Sequence, residues 1–135
     1  MGHKYLKDLD KQGKLPWGIP TELGSKDDKR REKWKEQRKK YGFDERETWS
    51  LNYTFYAWLY ERLKMYLEKA DSVVDLNFYM FTYKKETLTQ KEWIIKLIGY
   101  CEDYLENPDT LEEKKLKQMK DIVNIWNMIL PCMWW

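Results

Sequence analysis

The residues best suited to chemistry lie in one helical segment, where a single arginine falls among aromatic side chains. At about 100° per residue, Arg62 lies near the middle of an apolar arc. The aromatic residues around it on this arc are Phe55, Trp58 and Tyr66. A guanidinium can bind a phosphate while an aromatic ring stacks on a base. These four residues therefore form a candidate ligand-binding site for a nucleotide signal.

A structural role for Arg62 is the alternative, because a charge on an apolar helical face needs a partner. Asp44 and Glu47 come shortly before the same helix, and either could pair with Arg62 inside the fold. The stem of the arginine would then lie along the aromatic rings. The residue types leave both interpretations open.

The chain offers little else for catalysis or metal binding. It contains one histidine, His3, and two cysteines, Cys101 and Cys132, with no CxxC pair. This excludes an ordinary zinc site and leaves no visible Ser/His or Cys/His arrangement. Cys101 falls within the apolar arc of a predicted helix, which indicates a buried apolar residue rather than a nucleophile. We therefore predict a protein that is not an enzyme and has neither a cofactor nor a metal site.

Charge is distributed unevenly along the 135 residues. Residues 1–41 contain 13 Lys and Arg against 7 Asp and Glu, whereas residues 42–135 contain 12 against 16. A basic arm on an acidic body suggests an anionic partner or self-association. The net charge of only +2 argues against a dedicated DNA-binding protein.

The basic region includes a predicted charged helix over about residues 26–40. Ser25 can cap this helix, and Asp27 and Asp28 suit its first turn. Because the helix is polar nearly all round, it is either a solvated spacer or a surface that meets phosphate or carboxylate groups. In the second case the partner-binding residues are Lys29, Arg30, Lys33, Trp34 and Arg38.

Gly42 breaks the charged helix and divides the chain in two. Residues 1–41 form a basic N-terminal arm and charged helix, and residues 42–135 form a helical bundle domain. The central element of the bundle is a helix over about residues 51–69, which is expected to be buried on most sides. Its predicted apolar arc holds Leu51, Phe55, Trp58, Leu59, Leu63, Tyr66 and Leu67, and it is widened by Tyr53, Tyr56, Tyr60 and Met65. The narrow strip left polar holds Thr54, Ala57, Glu61, Lys64 and Glu68.

The rest of the chain predicts a hairpin and two more helices. Alternation from Leu76 to Tyr83 favours a strand that pairs, through a turn, with residues 87–88. Thr89 and Glu92 have the spacing of a capping box for a helix over about residues 90–106. The last helix covers about residues 111–130, with a predicted buried side of Leu111, Leu116, Met119, Ile122, Val123, Trp126, Ile129 and Leu130.

The predicted fold is therefore mainly α. It is a helical bundle around the central buried helix, about residues 51–69, with a small β-hairpin at about residues 76–88. Thr89, which opens the third helix, and Gly42, which closes the first, are its clearest boundary signals.

The C-terminal residues 132–135 (CMWW) follow Pro131 as an aromatic tail. Two exposed tryptophans are costly, so the tail is expected to pack back on the bundle. The alternative is a contact with a partner, or with a second copy in a homo-oligomer. No segment approaches the about 20 apolar residues that span a bilayer, and the N-terminus lacks the apolar run of a signal peptide. We therefore predict a cytosolic protein without membrane contact.

Several short motifs are spread over residues 41–135. They are Tyr41-Gly42-Phe43, Thr48-Trp49-Ser50-Leu51, Arg62-Leu63-Lys64, VDLNF and the C-terminal LPCMWW. In these motifs the chain resembles a family of small uncharacterised proteins from tailed bacteriophages and prophages. Asn52 stands where members often have an aspartate, so an ionic role for that position does not carry over.

The resemblance implies a phage origin and a location in the host cytoplasm, but no established activity. By analogy, small non-structural phage proteins without catalytic motifs often act as accessory or anti-defence binders. We therefore expect a non-enzymatic binding protein that inhibits a host anti-phage defence, such as CRISPR-type immunity, by binding a host defence protein. The alternatives are a sponge that sequesters a nucleotide immune signal at the Arg62 site, and a structural or assembly factor of the phage.

Overall fold

The computed structural model describes Leu23 and residues 26–106 and 113–135, and this part of the chain folds into four α-helices and one β-hairpin. In chain order the elements are α1 (Arg31–Tyr41), a 3-10 turn η1 (Glu45–Thr48), α2 (Leu51–Ala70), β1 (Met80–Tyr83), β2 (Glu86–Thr89), α3 (Gln90–Glu106), α4 (Glu113–Ile129) and a 3-10 turn η2 (Leu130–Cys132). The predicted mainly α fold with a small hairpin is confirmed. Most of the predicted N-terminal arm, together with Ser25 and Leu111, lies outside the described residues.

The charged helix begins later than the sequence suggests, at Arg31. Residues 26–30 form turns, in which the Asp28 carboxylate accepts a hydrogen bond of 2.9 Å from the backbone N–H of Arg30. Asp28 therefore bonds ahead of the helix rather than within its first turn. α1 ends as predicted at Gly42, whose φ of 83° lies in the left-handed region that glycine adopts without strain.

The predicted central helix is present at Leu51–Ala70, but its buried side covers only part of the predicted arc and extends into the predicted polar strip. Its buried residues are Thr54, Tyr56, Ala57, Leu59, Tyr60, Leu63 and Ala70. Thr54 and Ala57 of the predicted polar strip are buried, whereas Leu51, Trp58 and Met65 of the predicted arc are exposed. The reason is that α2 is apolar nearly all round, so periodicity does not define one buried direction. A small residue such as Ala57 also allows a neighbour to approach closely.

α3 contacts α2, α4 and β2, so the core forms around it. Its start is the predicted capping box: the backbone N–H of Thr89 donates to Glu92 Oε1 at 3.0 Å, and the backbone N–H of Glu92 donates to Thr89 Oγ1 at 3.2 Å. The core residues that α3 contributes include Trp93, Ile94, Leu97, Cys101, Tyr104 and Leu105. They meet Leu59 and Leu63 of α2 and the isoleucines of α4.

The hairpin is shorter than predicted. β1 begins at Met80 rather than Leu76, because residues 76–78 form a turn whose buried Leu76 side chain belongs to the core. Lys84 and Lys85 both have positive φ, at 49° and 66°, as a two-residue hairpin turn requires. The hairpin rests on α3, where the indole Nε1 of Trp93 donates to the Phe81 carbonyl at 2.9 Å.

α4 covers Glu113–Ile129 within the predicted range of 111–130. Its buried residues are Ile122, Ile125 and Ile129, of which Ile125 was not predicted. Leu116, Val123 and Leu130 were predicted to be buried but are exposed. Because α4 packs mainly on α3, its buried stripe is narrower than the apolar residues on it allow.

Candidate functional site

Asp44 is a buried carboxylate between two arginines. Arg38 Nε donates to it at 2.8 Å, and Arg46 donates from Nε at 2.9 Å, from Nη2 at 2.8 Å and from its backbone N–H at 3.0 Å. Burial alone would raise the pKa of Asp44, but the hydrogen bonds from Arg46 and Arg38 outweigh it and lower the pKa to about 2. This charge cluster ties α1 to η1.

Trp34 also stabilises the contact between α1 and η1, through its aromatic ring. The guanidinium carbons of Arg46 and Arg30 lie 4.1 and 4.7 Å from the centre of its ring, which is within cation–π range. Its indole Nε1 donates to Glu45 Oε1 at 3.1 Å. Trp49 packs edge-on against it, with ring centres 6.3 Å apart.

The predicted partner-binding residues of the charged helix therefore act mainly within the chain. Trp34 is 2% exposed, so the prediction that its ring meets a partner is corrected. Arg38 and Arg30 are held at Asp44 and at Asp28, and Lys33 pairs with Glu45 at 3.1 Å. Lys29 is exposed at the turn before α1 and stays a predicted contact.

Arg62 lies on the exposed outer side of α2 instead of within a buried arc. Its guanidinium carbon sits 4.6 Å from the centre of the Trp58 ring, and Nη1 donates to the Trp58 carbonyl at 3.4 Å. Among the described residues Arg62 forms no ion pair. Asp44 pairs instead with Arg38 and Arg46. Burial and the charge of Asp44 raise the pKa of Glu47, and the charge of Arg62 acts in the opposite direction without reversing the shift. The predicted internal pair with Asp44 is thus wrong.

The four predicted ligand-binding residues share one side of α2 but have different neighbours. Arg62 stacks on Trp58, the Phe55 ring packs edge-on against Tyr56 with ring centres 5.1 Å apart, and the Tyr66 hydroxyl donates to the Trp134 carbonyl at 2.9 Å. The structure therefore brings Arg62 and Trp58 together, whereas Phe55 also packs against the core and Tyr66 bonds to the tail. Nucleotide binding by these residues stays a prediction.

The C-terminal tail packs back on the bundle through its backbone, while its indoles point outward. Gln90, itself buried, donates from Nε2 to the Cys132 carbonyl at 3.1 Å and to Met133 Sδ at 3.4 Å. Tyr66 adds its bond to the Trp134 carbonyl. Yet Trp134 and Trp135 are 58% and 61% exposed. The tail is therefore fixed in place with two large apolar side chains in solvent.

Gln90 also connects the tail to the loop before β1. Its backbone N–H donates to the Tyr79 carbonyl at 3.0 Å, and the Tyr79 ring packs edge-on against Phe78 with ring centres 5.0 Å apart. Both of these rings are exposed. We call the four exposed aromatic residues on either side of Gln90 the tail patch; they are Phe78, Tyr79, Trp134 and Trp135.

The sequence gives no direct signal for the role of Gln90. It is a polar residue in the first turn of a helix, a common and usually solvated position, and its side-chain partners lie 42 and 43 residues away. The outward direction of the tryptophans was also missed. Sequence patterns report which residues are apolar, whereas this surface depends on which apolar residues remain uncovered.

Other chemistry finds no support in the described part of the chain. No group of three or more His, Cys, Asp or Glu within it could hold a metal ion. Burial raises the pKa of the Cys101 thiol to about 12, so it is protonated at neutral pH, as expected of a core residue. None of the described helices has the length and apolar character needed to cross a membrane.

Comparison of this chain with protein families, with curated proteins and with solved structures finds no match.

Proposed function

We propose that this chain is a non-enzymatic accessory binding protein of a tailed phage, which inhibits a host anti-phage defence by occupying a protein partner in the host cytoplasm. The observation that carries the proposal is the tail patch. Gln90 and Tyr66 hold its backbone in place, while its four aromatic side chains stay in solvent.

Exposed aromatic residues on a fixed backbone favour a protein partner for two reasons. Tryptophan and tyrosine are enriched among the residues that dominate binding energy in protein interfaces. A side chain whose backbone is already ordered also loses less conformational entropy when it binds. Large exposed apolar patches mark interaction sites in monomeric proteins, since they carry a solubility cost that scattered residues do not.

The experiment is a plating assay in bacterial hosts that each carry one defence system, CRISPR-type immunity among them. Cells expressing the chain are challenged with a phage that the defence normally stops. We expect the wild-type chain to restore plaque formation in one of these hosts. A Trp134→Ala/Trp135→Ala variant should restore plaques with at least tenfold lower efficiency, because removing two anchor side chains weakens binding by about 3 kcal/mol or more.

The matched control is Lys39→Ala/Lys40→Ala, which removes two exposed side chains from α1, far along the chain from the tail. This variant should restore plaques as well as the wild type. Equal activity of the tail variant and the wild type would show that the tail patch does not carry the function. Failure of the wild-type chain in every host would count against an anti-defence role.

A further inference from the structure

The outer side of α2 carries a second exposed surface with the spacing of a coiled-coil seam. Its residues follow one another at intervals of four and three and are Leu51, Phe55, Trp58, Arg62, Met65 and Lys69. We call this stripe the outer face of α2. Leu51 and Met65 are each 63% exposed and Trp58 is 38% exposed. Alternating steps of four and three are the pattern by which one helix packs along another.

The buried side of α2 already packs on α3. On the outer face Phe55 is half-buried and packs against the core, whereas the other five residues are exposed. From Leu51 to Lys69 the outer face runs for about 27 Å at 1.5 Å per residue, enough for about five turns of a partner helix. An interface of that length lies at the small end of the range for specific complexes, which is typical of transient contacts. Tyr66 places the tail, through its bond to Trp134, at one edge of the stripe.

Charge indicates whether a second copy of this chain or another protein binds the outer face of α2. Arg62 lies in the middle of the stripe without an ion pair among the described residues, and Lys69 at its end has only a 3.9 Å contact with the exposed Glu68. A second copy in parallel register would bring Arg62 against Arg62, and an antiparallel copy would set the two in neighbouring layers. Covering a guanidinium without an acid is costly, so the favoured occupant supplies a carboxylate.

We propose that the outer face of α2 is a docking site for an amphipathic helix of a protein partner, with apolar residues at heptad spacing and a carboxylate opposite Arg62. The inference rests on the proposed function in that the partner is a protein. It names the shape and the charge of the segment that the partner contributes. When the helix docks, its carboxylate replaces the water at the Arg62 guanidinium, which remains stacked on the Trp58 ring.

The test uses two synthetic helical peptides of about three heptads, with leucine at positions a and d and either glutamate or lysine at one central a position. Fluorescence anisotropy measures their binding to the purified full chain. We expect the wild type to prefer the glutamate peptide about tenfold, and Arg62→Glu to reverse that preference. Lys35→Glu, an equal charge reversal at an exposed position of α1, should leave the preference unchanged.

Two outcomes overturn the proposal. One is absence of binding, or the same peptide preference in the wild type and Arg62→Glu. The other is a wild-type dimer in sedimentation velocity that Met65→Ala dissociates, since the occupant would then be a second copy. Val123→Ala, which truncates an exposed apolar residue of α4, is the control for Met65→Ala.

The plating assay separates this proposal from the function it rests on. If Arg62→Glu restores plaques as well as the wild type while the Trp134→Ala/Trp135→Ala variant does not, the helix-docking proposal falls and the binding function stands. If the wild-type chain restores plaques in no host, the proposed function falls, whatever the peptides do.

Discussion

At the scale of single residues, the charge of Asp44 holds α1 against the segment that leads into α2. Two arginines donate to its buried carboxylate, at 2.8 Å from Arg38 and at 2.8 Å from Arg46 Nη2. Removing one side of a buried ion pair leaves the other side uncompensated. The stability of this contact therefore depends on one carboxylate.

We predict that Asp44→Asn lowers the free energy of unfolding by roughly 2–3 kcal/mol at pH 7, measured by urea denaturation. The folded-state pKa of Asp44 is about 2, below its ordinary value of 3.8. Its stabilisation is thus fully present above about pH 4 and is lost as the pH falls through about 2. The difference in the free energy of unfolding between Asp44→Asn and the wild type should therefore narrow as the pH falls from about 4 to about 2. Asp27→Asn, at an exposed carboxylate, is the control and should leave the free energy of unfolding at pH 7 unchanged.

The two thiols should differ in reactivity because their burial differs. Burial raises the pKa of Cys101 to about 12, whereas Cys132 is only half-buried in η2. We predict that iodoacetamide at pH 8 modifies Cys132 in the native protein and reaches Cys101 only after denaturation, as intact mass spectrometry would show. Rapid modification of both thiols in the native protein would contradict the position of Cys101 in the core.

At the scale of elements, Gly42 ends α1 in a backbone conformation that few residues adopt. A Cβ added at Gly42 would have no heavy atom within 4 Å, so only the backbone opposes substitution. We predict that Gly42→Ala lowers the free energy of unfolding by about 1 kcal/mol, which is the cost of a left-handed alanine. Gly99→Ala in α3 is the control: it meets no atom within 4 Å either, and its helical backbone should make the change neutral or stabilising.

Local signals in the sequence predict the boundaries of the elements well. The capping box of Thr89 and Glu92 forms as expected, and α2 and α3 begin and end within one residue of their predicted bounds. Such signals depend on neighbours in the chain, whose geometry the helix itself defines. The same reasoning extends the charged helix too far toward its N-terminus, because Asp28 uses its carboxylate in a turn instead.

The rotation of the helices could not be predicted in the same way. α2 has apolar residues on almost every side, so its buried face depends on where α3 lies, which is a property of the tertiary fold. Arg62 illustrates the consequence: helical periodicity predicts it within a buried arc, but it lies on the exposed side. The candidate site around Arg62 therefore lies on the outer surface of α2 rather than on its buried side.

At the scale of the whole molecule, two of the surfaces that expose large apolar side chains carry the proposed binding function. One is the tail patch beside Gln90, and the other is the outer face of α2. Tyr66 links them, since it belongs to α2 and bonds to the tail at Trp134. These fixed and uncovered surfaces are the basis of the protein binding that we propose.

A protein-binding function predicts no response to small nucleotides. In a thermal-shift assay, a panel of cyclic and linear nucleotides at large excess should leave the melting temperature unchanged. A true ligand at 100 times its Kd would add about 2.7 kcal/mol to the free energy of unfolding. A clear upward shift with one nucleotide, lost in Arg62→Ala, would instead support the sequestering alternative.

The most direct test of the central claim is oxidative footprinting of tryptophans in the chain, alone and in complex with the host protein that co-purifies with it from infected cells. We predict that Trp58, Trp134 and Trp135 lose reactivity in the complex. Trp49, which is exposed beside α1, should keep its reactivity, and the buried Trp93 should be unreactive in both states. Protection of Trp49 with unchanged reactivity of Trp58, Trp134 and Trp135 would contradict the claim that the tail patch and the outer face of α2 form the binding surface.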